Sequence, residues 1–126
     1  MRAGGAATVA LLAVFLCGAA CTQQPAPESC PTAPVDPPCP DAIPSFERDV
    51  YPNVFAAVCV GCHNPTGEEP SMPLTTYQQI HSRAGAIYSQ VFLSCLMPPP
   101  NAPEPLSDGQ RQKLLDWFGC GALDTP

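Results

Sequence analysis

Positive charge is scarce in this chain of 126 residues. Lysine and arginine together number 5 against 11 aspartates and glutamates, and the formal net charge is −6. Nucleic acids and anionic membrane surfaces are bound through basic patches, so this balance excludes both as direct partners. It is compatible with a protein partner that presents positive charge, although acidic surfaces more often serve solubility alone.

Residues that usually carry catalysis are also few. The chain has 2 histidines, His63 and His81. We find no pair of carboxylates spaced for acid–base work, no nucleophile constellation and no glycine-rich phosphate loop. Glu68-Glu69 is the nearest approach to an acidic pair and is interpreted as solvated. The sequence therefore predicts no enzyme of the common hydrolytic or nucleotide-using classes.

Long apolar runs are missing as well. Ala6–Leu16 is apolar except for Thr8, which is too short for a comfortable membrane-spanning helix. Met1-Arg2 precedes this run and the small residues Gly18-Ala19-Ala20 follow it, which is the pattern of a secretory signal. We therefore predict a signal peptide over residues 1–20 and an exported protein on the periplasmic or cell-envelope side.

Cys21 follows these small residues directly. This arrangement resembles the bacterial lipoprotein pattern, in which such a cysteine carries lipid and anchors the mature protein to a membrane. The pattern usually has leucine three residues before the cysteine, whereas Gly18 stands here. We expect lipidation at Cys21, with plain cleavage after Ala20 as the alternative.

The segment Cys59-Val60-Gly61-Cys62-His63 is the clearest chemical motif. Two thiols at this spacing can add to the two vinyl groups of one porphyrin, and the histidine that follows can bind the iron. The alternatives are a chance cluster, a redox dithiol and half of a zinc site. A zinc site would need a second ligand pair, and a thioredoxin-like site would need flanking βαβ patterning, which is not found. The motif predicts one covalently bound haem c.

A six-coordinate electron carrier needs a second axial ligand. Met72, Met97 and His81 are the candidates within the mature chain. Met72 lies only nine residues beyond His63, a short path to the opposite haem face, and His81 on a short helix is more often a surface or capping residue. Methionine thioether raises the iron potential relative to a second histidine, and we expect Met97 to be this ligand.

The cysteines outside the signal peptide, the lipidation site and the haem motif are even in number. Setting aside Cys17 in the signal, Cys21 and the two cysteines of the haem motif, the remainder are Cys30, Cys39, Cys95 and Cys120. An even remainder in an exported chain predicts two disulfides with three possible connectivities. Cys30–Cys39 with Cys95–Cys120 is the simplest, because each pair then stays within one type of segment.

Composition divides the mature chain into two parts. Residues 21–44 hold eight of the 18 prolines and almost no large apolar side chains, so we expect an extended linker. Residues 45–126 are enough for one small domain with a thin core. Haem burial and a disulfide would supply the missing stabilisation.

Within residues 45–126 the apolar periodicity is helical. The first helix is indicated by Phe46, Val50, Val54, Phe55 and Val58, with Pro52 expected to open or bend it. Thr75 with Gln78 and Ser107 with Gln110 are predicted capping boxes.

The run Ile87, Tyr88, Val91 and Phe92 favours a helix, although a strand is conceivable. The last helix is indicated by Leu114, Leu115, Trp117 and Phe118, with Gly121 placed to end it. Between these last two helices, the triple Pro98-Pro99-Pro100 predicts an extended loop.

At these residues the chain resembles a known family. Phe46-Glu-Arg-Asp-Val-Tyr-Pro-Asn-Val-Phe, running into Cys-Val-Gly-Cys-His, is similar to the start of small exported cytochrome c domains of myxobacterial and planctomycete proteins. Met97-Pro98-Pro99, Leu106-Ser107 and Asp116-Trp117-Phe118 match their later part. The resemblance implies an all-α, class I cytochrome c-like fold around one covalent haem, with the first and last helices crossing. It also implies Met97 as axial ligand and a Cys95–Cys120 disulfide.

Two classes of function follow. The favoured one is a single-haem electron carrier with His63 and Met97 on the iron, a redox protein as its partner and no enzymatic activity. The alternative is a haem enzyme or gas sensor, peroxidase-like or gas-binding, with a labile sixth ligand. A disulfide-rich binding module without haem is a poorer third.

Overall fold

The computed structural model describes residues 33–125, and this part of the chain is helical without a strand. Its five helices are α1 (Phe46–Cys59), α2 (Tyr77–His81), α3 (Ala84–Tyr88), α4 (Ser89–Leu93) and α5 (Asp108–Gly119). The all-α expectation is confirmed. The predicted signal peptide, Cys21 and Cys30 lie outside the described residues. No helix of the described part has the length and apolar composition needed to cross a membrane.

Helix α1 begins at a cap that the sequence analysis did not identify. The hydroxyl of Ser45 accepts the backbone N–H of Arg48, which satisfies one of the free donors of the first turn. Pro52 lies inside the helix rather than at its start and has no N–H to donate. The side-chain amide of Asn53 donates instead to the carbonyl of Asp49 at 2.8 Å. The helix is wide, and its backbone bonds reach back five residues at both ends.

The middle of the domain consists of short helices. Thr76, not Thr75, caps α2 and forms a capping box with Gln79, one residue later than predicted. Thr75 still takes part, because its backbone N–H donates to the same glutamine side chain. Helix α3 continues directly into α4, so the apolar run over 87–92 is helical and not a strand.

Helix α5 has the ends that were predicted from its sequence. Ser107 and Gln110 form the capping box. At the other end Gly121 has φ of +78°, a left-handed conformation that glycine adopts without strain. The N–H groups of Gly121 and Ala122 donate to the carbonyls of Phe118 and Trp117, which is a Schellman motif.

The core is formed where α1 packs on α5. Trp117 and Phe55 are fully buried, and Phe46 is nearly so. The Trp117 ring lies 5.6 Å from that of Phe46 and 6.0 Å from that of Phe55, with the second pair edge to face. The Trp117 indole N–H donates to the carbonyl of Leu123, so its one polar atom is satisfied. The rest of the core is Val50, Val54, Leu74, Ile80, Val91, Phe92, Leu114 and Ala122.

The described part of the Pro-rich segment, residues 33–44, is docked on this domain. It contains no helix, as expected, but Cys39 forms a disulfide with Cys120 at the end of α5. A Cβ added to Gly119 would lie 2.5 Å from the carbonyl oxygen of Pro38, so the segment passes directly over α5. The Tyr88 hydroxyl donates to the carbonyl of Pro34 farther along.

The disulfide pairing expected from the sequence is therefore wrong. Neither Cys30–Cys39 nor Cys95–Cys120 forms, because the Pro-rich segment folds back and places the Cα of Cys39 4.5 Å from that of Cys120. Cys95 is disulfide-bonded as well. The prediction failed because it kept each pair within one type of segment.

Candidate functional site

A cavity of about 400 Å³ opens beside the end of α1. Its walls come from the end of α1, the loop around Leu74, helices α3 and α4, the loop after Met97, and α5. The lining is mostly apolar and consists of Val58, Cys59, Cys62, His63, Met72, Leu74, Arg83, Ala86, Ile87, Gln90, Val91, Met97, Pro98, Leu106 and Leu114. Both cysteines and the histidine of the predicted haem motif are among them.

His63 is held in one orientation by the backbone. Its N–H donates to the carbonyl of Cys59 at 2.9 Å, and its own carbonyl accepts the N–H of Leu74, which draws the following loop against it. On the ring, Nδ1 lies 3.1 Å from the carbonyl oxygen of Met72. A carbonyl can only accept, so Nδ1 carries the hydrogen in this contact, and the neutral ring then has its lone pair on Nε2. A hydrogen bond from the opposite ring nitrogen is the kind that orients a metal-binding histidine.

The two cysteines of the motif are free thiols on the wall of the cavity. Burial, together with the neighbouring Cys62, raises the pKa of the Cys59 thiol to about 12. Cys62 lies closer to the surface, with its Sγ 3.9 Å from a carboxylate oxygen of Glu68.

This environment argues against two alternatives. Redox dithiols have a lowered cysteine pKa, commonly at a helix N-terminus, whereas Cys59 is the last residue of α1 and its pKa is raised. A zinc site would need a second pair of ligands beside Cys59 and Cys62. Within residues 33–125 no three His, Cys, Asp or Glu side chains converge as a metal-ligating group.

Both methionines of the loops line the cavity, but in different settings. Met97 is half-buried, and its N–H donates to the carbonyl of Gln90, which ties the loop that follows α4 to that helix. Met72 is 43% exposed and supplies its carbonyl to His63. His81 lies elsewhere, exposed on α2 with its ring 5.2 Å from that of Tyr77. The structure thus brings Met97 and Met72 to the site and leaves His81 outside it.

Two polar side chains of the cavity were missed in the sequence. Arg83, at the start of α3, and Gln90, on α4, lie among its apolar wall residues. The only signal for Arg83 was the rarity of positive charge, which makes each cation worth examining. Nothing in the sequence marked Gln90.

A second, more polar cleft of about 440 Å³ adjoins the outer side of the motif. Glu68 and Glu104 lie on its rim and Cys62 on its wall. Both glutamates are exposed, in agreement with the interpretation of Glu68 as solvated.

Comparison of this chain with protein-family models, with curated proteins and with solved structures finds no match. The functional argument therefore rests on the cavity and its lining residues.

Proposed function

We propose that this protein is an exported c-type cytochrome with a single covalent haem, acting as an electron carrier and not as an enzyme. The observation that carries the proposal is the convergence of Cys59, Cys62, His63 and Met97 on one apolar cavity. When bound, haem c supplies one-electron chemistry, with iron alternating between Fe(III) and Fe(II).

The cavity suits such a group in size and polarity. A volume of about 400 Å³ falls in the range of cofactor sites, which are mostly apolar with a few placed polar groups. The two thiols would form the thioether links, and both are free of disulfides.

The iron ligands are proposed from the same side chains. His63 presents Nε2, because Met72 holds the hydrogen on Nδ1. Met97 would complete the coordination, and its attachment to α4 limits its movement away from the cavity. A firm sixth ligand excludes substrate from the iron, so this pair favours electron transfer over peroxidase-like or gas-binding chemistry.

We infer the class I cytochrome c fold for the same reasons. The packing of α1 on α5 is consistent with the crossing of first and last helices in that fold. The position of the motif at the end of α1, with a methionine loop before α5, agrees with its chain order.

The ligand assignment is tested with four substitutions in protein matured by a strain competent in cytochrome c assembly. Met97→Ala is expected to lower the potential, remove the sulfur-to-iron charge-transfer band near the red edge of the oxidised spectrum, and open the iron to carbon monoxide. Met72→Ala and His81→Ala serve as matched controls and are expected to keep the band. His63→Ala is expected to abolish a stable low-spin product.

Two outcomes would redirect the assignment. Loss of low-spin character in His81→Ala but not in Met97→Ala would make the protein a bis-histidine cytochrome. Carbon monoxide binding by the unaltered protein would favour the gas-binding or peroxidase-like alternative.

The location is proposed from the predicted signal over 1–20 and from Cys21. A lipid on Cys21 would anchor the mature protein to a membrane. Wild type is expected in the membrane fraction, and Cys21→Ser in the soluble fraction with the same haem spectrum. A soluble wild type would remove the anchor and leave export intact.

A further inference from the structure

Arg83 is the one side chain with a permanent charge among the described residues that line the cavity of about 400 Å³. The wall otherwise consists of apolar, sulfur and neutral polar side chains and His63. Arg83 is half-buried, and burying a guanidinium cation beside apolar surface costs free energy unless an anion or hydrogen-bond acceptors meet it. Its position therefore needs a physical explanation.

The described protein supplies only part of that compensation. One guanidinium nitrogen of Arg83 donates to the carbonyl of Gln79 at 3.2 Å. The ion pair found within residues 33–125 joins Lys113 to Asp49, and no carboxylate there lies within ion-pair distance of Arg83. Most of the five N–H donors of the guanidinium are thus uncommitted, in a protein with 11 acidic residues.

Gln90 adds a neutral donor on the same wall. It is an exposed residue of α4, seven positions after Arg83 in the chain, and it lines the same cavity. The backbone carbonyl of Gln90 holds the N–H groups of Leu96 and Met97. Its side-chain amide makes no hydrogen bond within the described residues and can reach toward a ligand.

We propose that Arg83, assisted by Gln90, forms a carboxylate-binding subsite of the cavity. This inference rests on the proposed function, under which the carboxylate is a propionate of the haem. A planar guanidinium can hold a carboxylate through two parallel hydrogen bonds, which a lysine ammonium cannot reproduce. The subsite would help to fix the orientation of the haem, together with the two thioethers at Cys59 and Cys62.

The charge of Arg83 also has a consequence at the iron. A cation that neutralises a nearby carboxylate makes the surroundings of the iron more positive, which favours Fe(II) over Fe(III). Arg83→Gln is therefore expected to lower the reduction potential of the matured protein. Arg83→Lys keeps the charge and is expected to retain most of the wild-type potential.

The test measures the potentials of matured wild type, Arg83→Gln, Arg83→Lys and Arg48→Gln. Arg48 is exposed on α1, does not line the cavity, and loses the same charge, so it is the matched control. Charges on exposed side chains are largely screened by salt at a distance. We expect a lowered potential in Arg83→Gln alone, with a low-spin spectrum in all four proteins.

The outcomes separate this inference from the proposed function. Equal potentials in Arg83→Gln and wild type would overturn the subsite, as would equal shifts in Arg83→Gln and Arg83→Lys, which would assign Arg83 to packing. Arg83→Met keeps the length of the side chain and is used if Arg83→Gln does not mature. A wild type without covalent haem would instead contradict the proposed function itself.

Discussion

The domain has two halves, a closed half between α1 and α5 and a cavity half between Leu74 and Met97. Both are lined by apolar side chains, which fill the space in the closed half and surround a cavity in the other. In the closed half, Phe46, Phe55, Tyr77 and Trp117 fill the space between α1 and α5 with their own rings. In the cavity half, the apolar residues between Leu74 and Met97 surround about 400 Å³. A small domain has little core to spare, so apolar surface left unpacked indicates a site for another apolar group. Under the proposed function, the closed half carries the stability and the cavity half holds the haem.

The largest expected difference between the halves is chemical. If Cys59 and Cys62 are thioethers, mature protein unfolded in guanidinium without reductant has no reactive thiol from this pair. The titration must be made on unfolded protein, because a pKa of about 12 suppresses the reactive thiolate of Cys59 at pH 8 even in a haem-free chain. In that chain the native reactivity of Cys59 should rise about tenfold per pH unit between pH 9 and 11, as the thiol ionises.

The same chain made without cytochrome c maturation is the control for this titration. It should yield both thiols on unfolding. If Cys59 and Cys62 also react as free thiols in the unfolded matured protein, they do not attach haem.

The closed half is probed by Trp117→Ala. Trp117 is fully buried against Phe46 and Phe55, and truncating such a residue costs about 4 kcal/mol in free energy of unfolding. Urea unfolding followed by circular dichroism measures this loss. Leu123→Ala, at a 44% exposed side chain, should change stability by less than about 0.5 kcal/mol. A small effect of Trp117→Ala would show that the closed half does not carry the stability.

The Pro-rich segment is probed by replacing Cys39 and Cys120 together with serine. Their disulfide spans 81 residues, for which the chain-entropy relation gives roughly 4.5 kcal/mol. We expect about 3 kcal/mol, because the second disulfide at Cys95 already restricts the unfolded chain. The haem spectrum should stay as in wild type, since neither cysteine lines the cavity. A changed spectrum with unchanged stability would reverse the roles assigned to the two regions.

The smallest effect is expected at a helix cap. Ser107→Ala removes the hydroxyl that accepts the N–H of Gln110, at a cost of about 1 kcal/mol. Ser71→Ala, at an exposed loop serine, is the control and should lie within about 0.5 kcal/mol of wild type. Neither change should move the reduction potential. Equal losses of stability in the two variants would show that the Ser107 cap does not stabilise α5.

Local signals in the sequence predicted much of this structure. The apolar spacing from Phe46 indicated α1, and the Ser107 capping box and Gly121 indicated the limits of α5. Each of these depends on neighbours within a few residues, which the sequence displays directly. The shift of the α2 cap to Thr76 is a local error of one residue, because Thr75 and Thr76 offer the same hydroxyl.

The features that were missed depend on contacts between distant segments. The Cys39–Cys120 disulfide and the docking of Pro38 over Gly119 require the chain to fold back, and no local pattern records that. For the site, the motif named three residues of the cavity and order in the chain suggested Met97. Arg83 reaches the same wall only through the packing of α3, so its place could not be read from spacing.

The central claim is that the cavity half holds one haem joined covalently to Cys59 and Cys62. The most direct measurement is acid–acetone extraction of the matured protein, followed by a reduced-minus-oxidised visible spectrum of the precipitated chain. The account predicts that the colour stays with the protein and that the spectrum is that of a c-type haem. Complete extraction of the colour, or a colourless protein from a strain competent in cytochrome c maturation, would contradict it.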